Sequence, residues 1–222
     1  MEPACFGMAV PFSASEPPLP VRLSARHSEA LSGLVPLLLC GEESAVLSFA
    51  RYANSVPLGA SGRRDFQGIQ ADEAVHARCL QRLRASLPTP CSDARRRASL
   101  RRFYARLSDL DFGDHLARIA ALDSAVCLIL GALRQQRGPI AKDAAVDRLL
   151  ERIHEDEARH VTIARRYAVF LGKPQDLYPV AADTRDQLAA MLLERAGAFE
   201  SLGVCADRLF HRVRTIPRNL FA

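Results

Sequence analysis

Two short motifs in this chain place a carboxylate and an imidazole three residues apart. Glu73 and His76 form the first pair, and Glu157 and His160 form the second. Residues i and i+3 of an α-helix project side by side, with Cβ atoms about 5–6 Å apart, so that one metal ion can bind both. One Glu-x-x-His pair is common on solvated helices. Two pairs on two helices indicate a metal site.

Both motifs lie in segments whose apolar residues recur with the spacing of an α-helix. Four such segments are predicted to be long helices, over residues 21–54, 64–87, 112–137 and 140–171. The inward-facing stripe of the second contains Glu73 and His76, and that of the fourth contains Glu157 and His160. Because a buried, unpaired charge is costly, polar groups on such a stripe require partners. A metal ion is one such partner.

The first and third predicted helices each add one acid to the pattern. On the first, Glu42 interrupts an apolar stripe that includes Leu38 and Phe49, whereas a slightly rotated register would present Glu43 instead. We expect Glu42 to face inward. On the third, Asp123 is the sole acid on the apolar stripe. Each half of the chain therefore supplies one lone carboxylate and then a Glu-x-x-His pair.

This order is the ligand pattern of the carboxylate-bridged dimetal sites found in ferritin-like four-helix bundles. The six predicted ligands are Glu42, Glu73, His76, Asp123, Glu157 and His160. The two lone acids are expected to be terminal ligands on different ions, each histidine to bind one ion, and the two motif glutamates to bridge them. Mixed oxygen and imidazole ligation favours two iron ions, with manganese as the alternative, over zinc.

Further residues beside the motifs are candidates for supporting roles. His154 lies one turn before Glu157, so it is an additional ligand, a hydrogen-bond partner of the site or a solvated side chain. Asp72 and Asp156 each precede a motif glutamate and can contact a metal-bound histidine from there, with solvation as the alternative. Tyr167 lies near the inward-facing stripe of the fourth predicted helix. There it would hydrogen-bond the site, carry an electron or pack as an ordinary aromatic side chain in the core.

At these residues the chain resembles the ferritin-like di-iron carboxylate superfamily, over about residues 34–171. The run Gly41-Glu42-x-x-Ala45-x-x-x-Phe49-x-x-Tyr52-Ala53 looks like the first helix of rubrerythrins, but their usual Cys-x-x-Cys module and extra glutamate are missing. The motif spacing is similar to demethoxyubiquinone hydroxylase. Glu157-Ala158-Arg159-His160 is similar to the ferritin-like tRNA hydroxylases and arylamine N-oxygenases. Asp123 departs from the usual glutamate, and its shorter arm either weakens one metal site or opens a coordination position.

The predicted fold class is all-α, a ferritin-like, up-down-up-down four-helix bundle over residues 21–175. A flexible leader (1–20) precedes it, and a C-terminal helical extension (176–222), with one helix over about 184–213, packs on it. A linker helix that ends near Leu107 contains an arginine cluster, which is expected to be a solvated face, with an anion or RNA contact as the alternative. Its members are Arg95, Arg96, Arg97, Arg101, Arg102 and Arg106.

Composition limits the class of protein further. The chain has 222 residues, of which 49% are hydrophobic, enough for one domain with an appendage. Its net charge of +5 comes almost entirely from arginine, so nucleic acid is not the expected partner, although tRNA stays open. No apolar run approaches the roughly 20 residues of a membrane span, so none is predicted. The six cysteines lack any Cys-x-x-Cys spacing, so neither a zinc ribbon nor a disulfide framework is expected. Several lie in apolar helical patterns that suit buried free thiols in a reducing cytoplasm.

The expected function is oxygen or peroxide chemistry at the dinuclear iron site, as a di-iron oxidase or oxygenase acting on a small molecule. The sequence contains no flavin, nicotinamide or iron–sulfur motif. Electrons are therefore expected from an external donor or reductase. The alternatives are a ferritin- or rubrerythrin-like protein that binds or stores metal without oxidising a substrate, and a bundle that has lost its metal. A homodimer is one option for the oligomeric state.

Overall fold

The computed structural model describes residues 5–6, 17–55, 59–89, 94–107 and 111–222. Within these ranges the regular secondary structure is helical and contains no strand, which confirms the all-α prediction. Most of the predicted leader, residues 1–20, lies outside the described residues.

Helices α1 (Ala25–Ser55) and α2 (Gly59–Ala85) form the first long pair and pack extensively on each other. They form where the apolar spacing predicts them, and the inward stripe is buried. In α2 the buried stripe contains Phe66, Leu80 and Leu83. Full burial of such side chains contributes about 1.5–3 kcal/mol each, which offsets the cost of the polar residues on the same stripe.

Helix α3 (Ala94–Leu107) links the first pair to the second. Its arginine cluster is exposed, as predicted, while Leu100, Phe103 and Tyr104 are buried. The Tyr104 hydroxyl donates a hydrogen bond to the carbonyl oxygen of Leu37 (3.1 Å), and Ser44 Oγ donates to the carbonyl oxygen of Tyr104 (3.3 Å). These bonds and the apolar contacts hold α3 on α1.

Helices α4 (Phe112–Leu133) and α5 (Ala144–Leu171) form the second long pair. Asp111 caps α4, and Asp143 caps α5 by accepting hydrogen bonds from the backbone N–H groups of Ala145 and Val146. The fourth helix predicted from residue 140 therefore begins later. Residues Ile140–Lys142 form a short 3₁₀ helix instead, because the Asp143 side chain satisfies the first N–H groups of α5.

A polar layer divides the apolar core into two clusters, and the helices cross it in different directions. Along α1 the core passes from Leu31 in the first cluster to Phe49 in the second. Helix α5 runs in the same sense, whereas α2 and α4 run from the second cluster to the first. The predicted up-down-up-down order is therefore wrong. The order is up-down-down-up, because α3 carries the chain back to the end where α4 starts.

The C-terminal segment forms three helices, α6 (Pro174–Leu193), α7 (Ala196–Ser201) and α8 (Ala206–Arg214). The single helix predicted over 184–213 is thus wrong, since the chain turns near Arg195 and again at Gly203, whose φ is +80°. Helices α6 and α8 pack on α4. The fully buried Arg185 of α6 donates hydrogen bonds to the carbonyl oxygens of Ala121 in α4 and Val213 in α8.

The expectation of free thiols is wrong for one pair of cysteines. Cys5 and Cys40 form a disulfide that joins the N-terminal segment to α1. Their separation of 35 residues has no short spacing motif, so only the folded chain brings them together. Cys79, Cys127 and Cys205 are free, and the sixth cysteine lies outside the described residues. Disulfides are rare in a reducing cytoplasm, so the cysteines do not support the predicted cytoplasmic location.

Two helices are long and apolar enough to cross a membrane by length and composition alone. They are Ala25–Tyr52 and Phe112–Leu133, with mean hydropathies of 1.5 and 1.9. The buried share of each apolar window is 72% and 61%. Core helices pass the same test, so this finding is weak support for a membrane span and leaves the prediction of none open.

Candidate metal centre

The polar layer contains all six predicted ligands, which come from the four long helices. Their side chains are buried, with exposed fractions between 0% and 7%. Helix α1 supplies Glu42, α4 supplies Asp123, and α2 and α5 each supply one Glu-x-x-His pair. The helical spacing places each pair on one face, and the apolar residues on either side turn that face towards the core.

The first ligand group surrounds the Nδ1 atom of His76. This atom lies 3.4 Å from Glu42 Oε2, 3.5 Å from Glu73 Oε2 and 3.8 Å from Glu157 Oε1. Ligand atoms from these four residues all lie within 4.8 Å of one another, the spacing that a single ion requires. Three carboxylates and one imidazole therefore converge on one point.

The second group, of Asp123, Glu157 and His160, also fits within 4.8 Å. His160 Nδ1 lies 3.2 Å from Glu73 Oε1 and 3.8 Å from Glu157 Oε2. Glu73 and Glu157 thus each present one oxygen to His76 and the other to His160. This placement is what a bridging carboxylate between two ions requires.

Four buried atoms of the cluster lack a hydrogen-bond partner among the described residues. They are Glu42 Oε2, His76 Nδ1, Asp123 Oδ2 and His160 Nδ1. A buried polar atom without a partner costs about 1–3 kcal/mol, and more when it is charged. All four belong to residues of the two candidate ligand groups and lie in one layer, so the residues present fit a pair of cations.

The surrounding carboxylates raise the pKa values of both histidines. Burial by itself lowers the pKa of His76, but Glu42 and Glu73 reverse that effect and raise it to about 12. The pKa of His160 is likewise lowered by burial and then raised by Glu157 and Glu73, to about 11. Without metal, both imidazoles therefore hold a second proton as the counter-charge to the acids. A metal ion would take the place of that proton.

Burial and mutual repulsion raise the pKa values of three of the four carboxylates. Burial raises the pKa values of Glu42, Asp123 and Glu157, and nearby Glu73 raises each of them further. Burial would also raise the pKa of Glu73, but its close contacts with Glu42 and with both histidines hold it below its usual range. The cluster is therefore stabilised by positive charge placed among its acids.

The two predicted supporting aspartates both contact the cluster, and each reaches across to the other helix. Asp156 Oδ2 of α5 lies 3.0 Å from His76 Nε2, and Asp72 Oδ2 of α2 lies 3.3 Å from His160 Nε2. Arg159 donates hydrogen bonds to both aspartates, each 2.7 Å long. When a metal ion replaces the second proton, donation of Nε2–H to the aspartate would leave the lone pair of each imidazole on Nδ1, facing the ligand group.

The structure resolves the choice between the two adjacent glutamates of α1. Glu42 faces His76, whereas Glu43 turns to the N-terminal segment, where its Oε2 accepts a hydrogen bond from the backbone N–H of Phe6 (3.3 Å). The expectation that Glu42 faces the site is therefore correct. Glu43 is fully buried and lies outside both ligand groups.

A small cavity of about 40 Å³ adjoins the cluster between α1, α3 and α4. Its walls include Glu42, Asp123 and Glu157, together with the apolar side chains of Leu38 and Ile119. A cavity of more than about 10–15 Å³ admits a water molecule, whereas sites for drug-sized ligands measure about 300–1,000 Å³. The space beside the cluster therefore suits molecules of the size of O₂ or water.

Comparison with known proteins gives no relative. No family model, curated protein or solved structure matches the chain. The resemblance to ferritin-like proteins therefore remains a prediction from the motifs.

Two other predicted residues lie away from the ligand groups. The side chain of His154 lines a separate groove with Cys127 and Cys205. The Tyr167 hydroxyl donates a hydrogen bond to Asp65 (2.8 Å). Neither side chain belongs to a ligand group, so the roles of extra ligand and direct site contact are not supported.

Tyr104 is a site residue that sequence reasoning missed. It lines the cavity, and burial followed by the nearby Glu42 carboxylate raises its pKa well above the usual value. A Cβ atom at Gly41 would lie 3.1 Å from the Tyr104 hydroxyl oxygen, so the glycine allows this close approach. The only sequence signal was an aromatic residue on the apolar side of an arginine-rich helix.

Proposed function

We propose that this chain is a ferritin-like dimetal protein that holds two iron ions and uses them for oxygen or peroxide chemistry, as an oxidase or oxygenase. The observation that supports it is the set of four buried carboxylate and imidazole atoms that lack hydrogen-bond partners within the described residues. Manganese would fit the same ligands. The helix order is up-down-down-up, and α3 lies in the one long connection between α2 and α4. Ferritin-like four-helix bundles also have one long crossover connection.

Each protein group has a defined part in this proposal. His76 with Glu42 would hold one ion, His160 with Asp123 the other, and Glu73 and Glu157 would join them. When bound, the two ions supply paired electrons for the reduction of O₂ or peroxide. Asp72 and Asp156 hold the imidazole tautomers, and Arg159 fixes the positions of both aspartates.

The surroundings of the cluster favour a small oxidant as the molecule that enters. Leu38, Ile119 and Leu122 line the cavity and keep bulk water away from the carboxylates. The Tyr104 hydroxyl donates its hydrogen bond to the carbonyl oxygen of Leu37 and not to the ligand carboxylates. Electrons are proposed to come from an external donor, because the chain carries no motif for an organic redox cofactor or an iron–sulfur cluster.

The small cavity also favours one alternative, a metal-storage or ferroxidase protein that oxidises iron and no organic substrate. At about 40 Å³, the space beside the cluster does not accommodate a large organic molecule. A storage protein would assemble into a hollow oligomer and accumulate more than two ions per chain. Light scattering combined with metal analysis separates this alternative from the oxidase or oxygenase.

Metal analysis after anaerobic loading with ferrous iron tests the site itself. The wild-type chain is expected to retain two ions, and Glu157→Ala to lose them, because this residue faces both histidines. Glu43→Ala is the matched control, since Glu43 is an equally buried neighbour of Glu42 outside the ligand groups. The proposal would be contradicted if the wild type retained only trace metal, or if the wild type and Glu157→Ala retained the same number of ions per chain.

Exposure of the loaded protein to O₂ tests the chemistry. Diferrous protein without a reductant is expected to react once, to develop the near-ultraviolet absorption of ferric iron, and then to stop. Addition of a chemical reductant should permit a second reaction. Loaded protein that binds two ions but does not react with O₂ or peroxide would exclude the oxidase and oxygenase functions while leaving the metal site intact.

A further inference from the structure

A groove of about 510 Å³ lies at the far end of the bundle from the polar layer. It is formed by the segment before α1, the first turn of α1, the connection between α4 and α5, and the end of α7. Arg26, at this end of α1, is 16 residues from Glu42, which corresponds to about 24 Å along the helix. The groove is therefore a separate site with the volume of a small-molecule pocket.

Four cationic side chains and one histidine, from three chain segments, line this groove. They are Arg22, Arg26, His27, Arg137 and Lys142. Among the residues that the structure describes, none of the five forms an ion pair. The charges of the three arginines and the lysine are therefore not neutralised by ion pairs with the described residues.

The two acids in the groove already have other partners. Buried Asp143 accepts hydrogen bonds from the backbone N–H groups of Arg22 (2.5 Å), Ala145 (3.1 Å) and Val146 (3.2 Å). Glu200 Oε1 accepts one from the backbone N–H of Ala206 (2.7 Å). Both carboxylates thus satisfy backbone donors rather than the basic side chains, which leaves the groove with a net positive charge.

One of the cations lies at an electrostatically unfavourable position. Arg26 is in the first turn of α1, which contains no acidic residue. The helix dipole makes positive charge unfavourable there, by about tenfold or less in an equilibrium constant. An anion bound in the groove would stabilise this otherwise unfavourable placement of positive charge.

We propose that this groove binds a small polyanion through phosphate groups. Arginine pairs with phosphate in a bidentate geometry, and several cations around one cavity match a di- or triphosphate better than a single carboxylate. The groove lining contains no phenylalanine, tyrosine or tryptophan, so it offers no platform for stacking the bases of a nucleic-acid strand. The site is independent of the metal centre.

Isothermal titration calorimetry of the full chain with inorganic pyrophosphate tests this proposal. Arg26→Gln/Arg137→Gln is expected to bind at least tenfold more weakly than the wild type. The matched control, Arg101→Gln/Arg102→Gln, removes the same charge from exposed positions of α3 and should bind normally. Titration before and after dialysis against a chelator should give the same affinity, because pyrophosphate would otherwise report on bound metal. Unchanged melting temperatures will show that the variants fold.

Three results would overturn the proposal: no binding of pyrophosphate by the wild type, equal weakening in both double variants, or binding that chelation abolishes. Titration with ATP identifies the source of the phosphates. Tighter binding of ATP than of pyrophosphate indicates a nucleotide, whereas equal affinity indicates recognition of the phosphates alone. Both results support the proposal. Tight binding of a single-stranded oligonucleotide without any binding of pyrophosphate would contradict it.

Discussion

The Nε2 atom of His76 lies 3.0 Å from the Oδ2 atom of Asp156, and this contact joins α2 to α5. Asp156 directly precedes Glu157, so one turn of α5 provides both a candidate bridging carboxylate and the group that orients the imidazole of α2. Asp72 and His160 repeat the relationship in the opposite direction, at 3.3 Å. The two motif helices therefore position each other's ligands.

Asp156→Ala is expected to weaken metal binding by about 10- to 100-fold, because His76 loses the acceptor that fixes its tautomer and ring orientation. Competition with a chromophoric chelator measures the affinity. Glu155→Ala is the matched control, because that neighbouring acid is exposed and belongs to neither ligand group. Equal affinities in the two variants would show that the contact does not orient the ligand.

Removal of metal is expected to lower the melting temperature, since buried carboxylates repel one another until cations neutralise them. At free metal hundredfold above Kd, binding contributes about 2.7 kcal/mol, which corresponds to a shift of about 5–11 °C for a chain of this size. Differential scanning calorimetry of chelated and loaded protein measures it. Identical melting temperatures at different metal contents would show that the ions do not bind within the polar layer.

Asp123→Glu is expected to retain two metal ions but to change the rate of reaction with O₂. The side chain borders the small cavity, and an added methylene would carry the carboxylate further into that space. Stopped-flow spectra of the diferrous protein, compared with metal content, separate binding from reaction. The same time course in wild type and variant would mean that the shorter acid does not control access of the oxidant.

The buried His115 is expected to make the fold less stable in mild acid. Burial lowers its pKa to about 4, and its Nδ1–H donates to the carbonyl oxygen of Leu107 (2.7 Å). The unfolded state takes up the proton first, at a pKa of about 6.5, so stability falls as the pH drops from about 6.5 to 4. Over that range this group removes about 3 kcal/mol.

Denaturant unfolding at several pH values measures the His115 contribution as the difference between wild type and His115→Gln. The variant is expected to be less stable at neutral pH and to lose less stability in acid. His211→Gln, at an exposed position of α8, serves as the control and should keep the wild-type slope. Parallel pH profiles for all three proteins would contradict a neutral, buried His115.

Cys5→Ser is expected to lower the free energy of unfolding, because the disulfide closes a loop across a separation of 35 residues. Loop-closure entropy puts the loss at about 3–4 kcal/mol. Reducing agent should lower the melting temperature of the wild type and leave Cys5→Ser unchanged. Cys205→Ser, at a free and exposed cysteine, should behave like the wild type. A wild-type chain whose thiols are all free by mass spectrometry would refute the pairing.

Much of the candidate metal centre could be predicted because the information is local. Glu73 with His76, and Glu157 with His160, share a helix face by spacing alone, and the apolar residues around them turn that face inward. The lone Asp123 was identified in the same way. Helical periodicity also predicted the four long helices α1, α2, α4 and α5. The errors were confined to the helix ends and to the short 3₁₀ helix before α5.

Relations between helices were decided only by the tertiary structure. A rotation of about 100° per residue separates Glu42 from Glu43, and packing against α2 together with the contact of Glu43 to Phe6 selects between them. The crossing of Asp156 to His76, the direction of α4 and the pairing of Cys5 with Cys40 depend on which surfaces meet after folding. Spacing along one helix determines a shared face, but it contains no information about the partner that the face meets.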